Sequence, residues 1–316
     1  MDGSGQCVTH TGAVLDAEAT AESPTVLRGT GGLFEIGLDD WAASVIAVRK
    51  CAAVLTPSLS VAAGDFAALA AVVRFGATAT RSDVVTHVIA DAEMLEGDSF
   101  ESFVNVVVAE RQGRPLAFTF VHNTGVFDTI ERARAARRLW TIFPGAGLLA
   151  TEPLMATDAL THGAGFTSVG YLSSLRRPSQ GGGGFNAAGF LPGTFLPELM
   201  EMRSPMVYLD WYTGLASPTC STCGRRLDVF GRSEAEKSVI GTHNVHAWLD
   251  LLDEVCRADA ISHQAARLHW LRASSLSNHL VLRPAAGRVE SSKPLRWLVE
   301  MDDPMGRRTT PQGQLV

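Results

Sequence analysis

The sequence predicts a mixed α/β protein, a TIM-like (β/α)8 barrel that is short in its N-terminal half. Three features of the 316 residues point there. Short β-rich runs alternate with helical stretches along the chain. The β runs are apolar throughout, as expected of parallel strands covered on both faces. Several of them end on a polar or special residue, where barrel chemistry collects. A doubly wound open sheet fits the same alternation.

The elements follow in order. Residues 1–30 are small, polar and aperiodic and are expected to form a loose arm. Buried strands are expected at Cys51–Thr56, Val84–Asp91, Leu116–His122, Ala146–Ala150, Phe166–Leu172, Phe185–Phe190 and Met206–Asp210. Helical spacing occupies Gly64–Arg74, Phe100–Glu110, Asp128–Trp140, Leu154–Thr161 and Thr194–Arg203, the last opening on a Thr cap with Glu198 one turn in. The barrel then spans 31–212. Residues 213–262 form a small helical subdomain, and 263–316 a further helix with a basic tail.

Composition bounds the function. No apolar run approaches the ~18–20 residues that span a bilayer, and no basic stretch leads into an apolar core near residue 1, so a cytoplasmic protein without membrane contact is expected. Five cysteines make no disulfide framework. Net charge is −6, yet residues 265–316 hold eight basic and four acidic side chains. Overall acidity argues against a sequence-blind nucleic-acid coat; the basic end is a solvated tail or a phosphate contact.

The most specific local signal is Cys220-Ser-Thr-Cys223-Gly224 followed by Thr242-His243-Asn244-Val245-His246. Two thiolates on a knuckle and a distant His suit a tetrahedral structural zinc ion better than redox chemistry. His243 is expected where a helix begins. No fourth ligand is evident: His246, one turn on, either contributes or packs, and Cys256 reads as a small buried hydrophobe.

The segment TCSTCG…GTHNVHAWLDLLDEV resembles the zinc subdomain of the tRNA-guanine transglycosylases, whose pattern is C-x-C-x-x-C followed by an H-N-L/V helix. Cys220, Cys223 and His243 fall on three of the four ligands; Pro218 stands at the first cysteine. Upstream, SPMVYLDW is similar to the strand that carries the family's nucleophile and places Asp210 on it. VVTHVIADAEML resembles the strand ending in the purine-recognising aspartate, here Asp91. His122, in LAFTFVHNTG, falls on the base-reading glutamine. FTSVGYLSSLRRP resembles the turn whose backbone holds the base, here Gly170, Tyr171 and Leu172. VLTPSLSV is similar to L-T-D-S-G-G-F but has Pro57 for the aspartate that assists catalysis. The resemblance covers roughly residues 45–260.

It implies base exchange at guanine in tRNA or DNA, with a 7-deazaguanine entering through a sugar held covalently on Asp210, and Asp91 as the second carboxylate of the site. A carboxylate can store a sugar carbon as an ester, and a carboxylate is the natural acceptor for a purine's N–H edge. Trp211 and Tyr212 would shield or stack, His122 would carry a proton, and Arg176 and Arg177 are the phosphate candidates. Gly181–Gly184 reads as a flexible loop. The alternatives are a non-catalytic zinc-binding partner subunit, which Pro57 and Pro218 favour, and a small-molecule nucleoside glycosidase. The resemblance also suggests a homodimer, or a heterodimer with a catalytic chain. Each residue has a plainer role open to it: Asp91 as a helix cap, Asp210 as a strand-end cap, His122 as part of a turn.

Overall fold

The computed structural model describes residues 37–58, 60–122, 125–170, 193–220, 223–226, 234–257, 261–282 and 288–303. Its centre is a curled parallel sheet, part of a barrel wall rather than a closed (β/α)8 barrel. Helix α1 (Leu38–Arg49) leads into β1 (Val54–Leu55) and β2 (Ser60–Val61), which pair with the two ends of β3 (Val84–Asp91) along one edge. The expected strand Cys51–Thr56 is shortened to Val54–Leu55, and Pro57, which has no N–H to give the ladder, lies in the interruption before β2. From β3 the sheet continues through β4 (Leu116–Val121) and β5 (Gly147–Thr151) to β6 (Phe166–Val169).

The connecting helices lie where the spacing places them: α2 (Phe66–Ala77), α3 (Gly97–Glu110), α4 (Ile130–Ile142) and α5 (Pro153–Thr161). Their starts are chemically marked. Asp65 accepts from the Ala68 amide at 2.9 Å, Thr129 from Arg132 at 3.2 Å, and Pro153 supplies a ready-made φ at the first turn of α5.

Strand faces are sharply divided. Val88, Ala90, Leu116, Phe118, Phe120 and Leu148 join the core beneath the helices, with Phe103, Trp140 and Phe143. The opposite residues, Val85, Ala117 and Leu149 with Leu55, form a small layer on the concave face. Above it His87 Nε2 meets Thr119 Oγ1 at 2.9 Å. Successive layers along the strands therefore lead to Asp91 at the carboxyl edge.

Two expected elements are corrected. Thr194–Arg203 is not a helix but an antiparallel hairpin, β7 (Thr194–Leu196) with β8 (Glu201–Arg203). Pro197 blocks helical bonding at the turn, and Met200 takes a left-handed φ of 48°. Met206–Asp210 is not a strand: Pro205–Trp211 is a helix, α6, whose Ser204 cap and first-turn Pro205 are the local start signal. An apolar run this short has no decisive period. The Phe185–Phe190 strand lies outside the described residues.

Three further helices complete the fold, α7 (Glu234–Cys256), α8 (Ile261–His279) and α9 (Lys293–Asp302). His243 sits mid-helix in α7, not at its start; Thr242 bonds back to the Ser238 carbonyl at 3.2 Å instead of capping. Ala247, Leu251 and Val255 of α7, Leu268 of α8, and Leu295 and Leu298 of α9 join the same core as the sheet. In the Pro/Arg-rich end of the sequence, Ser292 caps α9 and Pro294 occupies its first turn.

Candidate functional site

The carboxyl edge of the sheet brings together side chains from adjacent strands. Asp91 ends β3 and His122 follows β4, and ligand atoms of Asp91, Glu93 and His122 lie within 4.8 Å of one another. Asp91 is buried and its Oδ1 accepts from the Glu93 amide at 2.8 Å, capping the short 3-10 turn Ala92–Leu95. The capping role is real. Glu93 Oε1 is 3.6 Å from His122 Nε2, and Arg132 NH2 reaches the same nitrogen at 3.3 Å. A guanidinium only donates, so in the Arg132 contact Nε2 is the acceptor. Arg132 is itself buried and held by Glu96 at 2.7 Å. Glu93 and Arg132 thus compete for one imidazole nitrogen, an arrangement suited to hydrogen-bonding a heterocycle. It suits a metal poorly, because the guanidinium occupies the ring's lone pair.

A second cluster, Cys220, Cys223 and His243, has donor atoms within 4.8 Å and could hold a metal ion. The knuckle is tightened by Gly224 N donating to the Cys220 carbonyl at 2.9 Å, with Gly224 at φ +67°. Cys223 N donates to Cys220 Sγ at 3.4 Å. His243 Nδ1 lies 3.7 Å from Cys223 Sγ, while its Nε2 lies 3.0 Å from the Phe195 carbonyl. Since a carbonyl only accepts, Nε2 carries the proton and Nδ1 presents its lone pair to the thiols. Burial lowers the His243 pKa against the opposing Phe195 bond, keeping the ring neutral and able to ligate. The adjacent Asn244 bonds the same strand, accepting from Phe195 N and donating to the Gly193 carbonyl, both at 2.7 Å. Sequence reasoning missed this role of Asn244, although the His-Asn dipeptide was visible.

A cavity of about 240 Å³ opens beyond the ends of β4 and β5, against the β7–β8 hairpin and the start of α9. Its walls include Phe120, Met155 and Phe195, with Glu152, Glu201 and Arg203 among the polar groups. Ala150, at φ 52°, lies in a register irregularity of β5 and lines the cavity. Glu201 is buried, accepts from the Ser292 amide, and lies 3.2 Å from Arg203. Burial raises its pKa, with Arg203 opposing. Nothing in the sequence flags Glu201 while its segment reads as a helix.

The remaining predicted residues are not assembled here. Asp210 lies in the last turn of α6, half-buried, and belongs to neither the Asp91 cluster nor the cavity wall. The expectation that it ends a barrel strand facing Asp91 is therefore corrected, for the Ser204-Pro205 start described above. Gly170 follows β6, whereas Tyr171, Leu172, Arg176, Arg177 and Gly181–Gly184 lie outside the described residues. Pro57 is buried between β1 and β2, next to Thr56, whose Oγ1 accepts from the His87 amide. Pro218 brings no donor to the knuckle.

No protein-family model, curated protein or solved structure matches the chain. Among the described residues no helix is long and apolar enough to cross a membrane.

Proposed function

We propose that this protein recognises a guanine-type base at the carboxyl rim of its sheet, through Asp91 and His122, and exchanges that base in tRNA or DNA by a transglycosylase-like reaction. The observation that carries the reading is the convergence of Asp91 and His122 from neighbouring parallel strands, 31 positions apart, into one cluster with Glu93. Asp91 would accept from the purine N–H edge, and His122, poised between Glu93 and Arg132, would exchange a proton with the base. In such an exchange a carboxylate oxygen bonds to the sugar C1′ as the C1′–N9 bond breaks and the purine takes a proton; Asp210, on α6 and outside the Asp91 cluster, is the carboxylate that the resemblance assigns to this step. The incoming base then displaces the carboxylate and loses its N9 proton.

Zinc is the metal we assign to Cys220, Cys223 and His243. Zn–S and Zn–N bonds of about 2.3 and 2.0–2.1 Å at a tetrahedral angle put sulfur and nitrogen about 3.6 Å apart, against the 3.7 Å between Cys223 Sγ and His243 Nδ1. Such an ion supplies a cross-link between the knuckle and α7, and through His243 to β7.

The placement of Asp210 on α6, away from Asp91, favours a second reading: a partner subunit that binds the base without chemistry. One experiment separates the two. Guanine-labelled tRNA and DNA are incubated with the protein; base release is followed, and denatured protein is weighed for a sugar adduct on Asp210. Release and an adduct absent from Asp210→Asn support exchange. Guanine binding that Asp91→Asn weakens, without release, supports the partner reading. Absence of any guanine binding overturns both.

A further inference from the structure

We propose that His246 is the fourth ligand of the metal bound by Cys220, Cys223 and His243. The inference rests on the zinc reading above and extends it to a residue outside the three-donor cluster. A closed tetrahedral site needs four donors, and the described cluster supplies three. His246 lies three positions after His243 on α7, and residues so spaced share one helix face with Cβ atoms about 5–6 Å apart. The same i, i+3 spacing delivers two side chains to one metal centre in helical bundles. The two rings are close enough for His246 to act electrostatically on His243.

The deciding observation is the state of the His246 ring. Its Nδ1 is shielded from solvent and has no hydrogen-bond partner among the described residues. A buried ring nitrogen without a partner calls for an explanation, and a metal supplies one. The alternative thiol on this helix, Cys256, is not the small buried hydrophobe that its sequence suggests but is exposed at the far end of α7. Metal entry would draw the imidazole toward the thiolates, as expected where a site is completed by its own ion. The result is a Cys2His2 set with both histidines on one helix, in which Pro218 is compensated from within α7.

The test uses the full-length protein loaded with Zn²⁺ or with Co²⁺ as a spectroscopic substitute. Wild type, His246→Gln and His246→Cys are compared for metal stoichiometry, affinity and the visible Co²⁺ spectrum, with circular dichroism as the folding control. The expected result is one ion per wild-type chain. In His246→Gln the tetrahedral Co²⁺ bands shift, and affinity falls by more than the roughly 10–100-fold that losing an outer-shell partner costs. His246→Cys restores the tetrahedral spectrum with stronger sulfur-to-metal charge transfer, which keeps the test decisive if the Gln variant misfolds. Unchanged spectra and affinity in both variants overturn the assignment of His246 while leaving the zinc reading intact. A wild-type chain that takes up no metal overturns both.

Discussion

Arg272→Met should be among the most damaging single changes outside the functional clusters. Arg272 and Asp158 are each 1 % exposed and meet at 2.6 Å. Arg272 also reaches Asp302 at 3.0 Å, and Arg137 bonds Asp158 and Asp302, both at 2.7 Å. The four side chains close a ring that ties α4, α5, α8 and α9 together. Removing one guanidinium leaves two buried carboxylates sharing Arg137, a change that typically costs about 3–5 kcal/mol. At roughly 2–4 °C per kcal/mol for a domain of 150–250 residues, the melting temperature should fall by about 6–20 °C. Replacing Asp302 by Leu in the same chain should recover part of the loss, because the surplus negative charge is then removed. Thermal unfolding at pH 7 followed by circular dichroism measures both. A single variant melting within about 1 kcal/mol of wild type would refute the ring as a stabilising unit. The pH dependence has a definite sign. Burial pushes Asp158 up, but Arg272 and Arg137 outweigh it and hold the carboxyl below its usual range; Asp302 is likewise held low against burial, by His269 and both arginines. Stability from these groups is thus full above the unfolded carboxylate pKa of about 3.9 and is lost as pH falls through the depressed native values. The paired variant should lose less stability on acidification than wild type.

Two other consequences can be measured directly. Gly76→Ala places a Cβ 2.4 Å from Thr86 Cγ2, where α2 meets β3; overpacking of this kind costs about 1–3 kcal/mol, and a denaturant midpoint equal to wild type would show that the contact relaxes freely. Burial depresses His87 to about 3, so its native ring stays neutral while the unfolded ring protonates near 6.5. The stability linked to it is complete above pH 6.5 and declines toward pH 3, and His87→Leu should flatten that limb of the stability curve; an NMR titration of the ring with a midpoint near 6 would contradict the burial argument.

The central strands and their helices were legible because long buried β runs and 3.6-residue spacing are strong signals, and because Asp65, Thr129 and Pro153 mark helix starts chemically. Legibility failed where runs were short. Thr194–Arg203 and Met206–Asp210 contain too few residues for periodicity to decide, and the overlooked evidence was Pro197 inside one and Ser204-Pro205 before the other. The Cys220–Cys223–His243 cluster, which could hold a metal ion, was readable because Cys220 and Cys223 are near neighbours in the chain and His243 is fixed by its own helix. Glu201 was not, since its significance arises from Ser292 and Arg203 meeting it through a hairpin the sequence does not announce. The convergence of Asp91 with His122 followed from parallel pairing of β3 and β4, whereas Asp210 depended on a strand that is a helix.

The Cys220–Cys223–His243 cluster and the cavity are joined through one residue, and with the zinc proposed above this yields a further prediction. Phe195 of β7 accepts from His243 at its carbonyl and donates its amide to Asn244, and it also lines the cavity. Asn244 alone holds the strand by two bonds at 2.7 Å, but His243 adds the third only while its Nε2 carries the proton. A bound ion at Nδ1 enforces that tautomer; without it the ring can turn, leaving the Phe195 carbonyl short of a partner in a buried setting, a loss of about 1–3 kcal/mol. Chelation should therefore raise the hydrogen-exchange rate of the Phe195 amide and its β7–β8 neighbours by roughly 5–150-fold, the factor corresponding to that free energy at about 1.4 kcal/mol per tenfold, while amides in β3 and β4 keep their protection. Equal acceleration across the sheet would mean that the ion supports the whole fold and not the hairpin. Unchanged protection at Phe195 would mean that Asn244 suffices, and that the metal governs the knuckle alone.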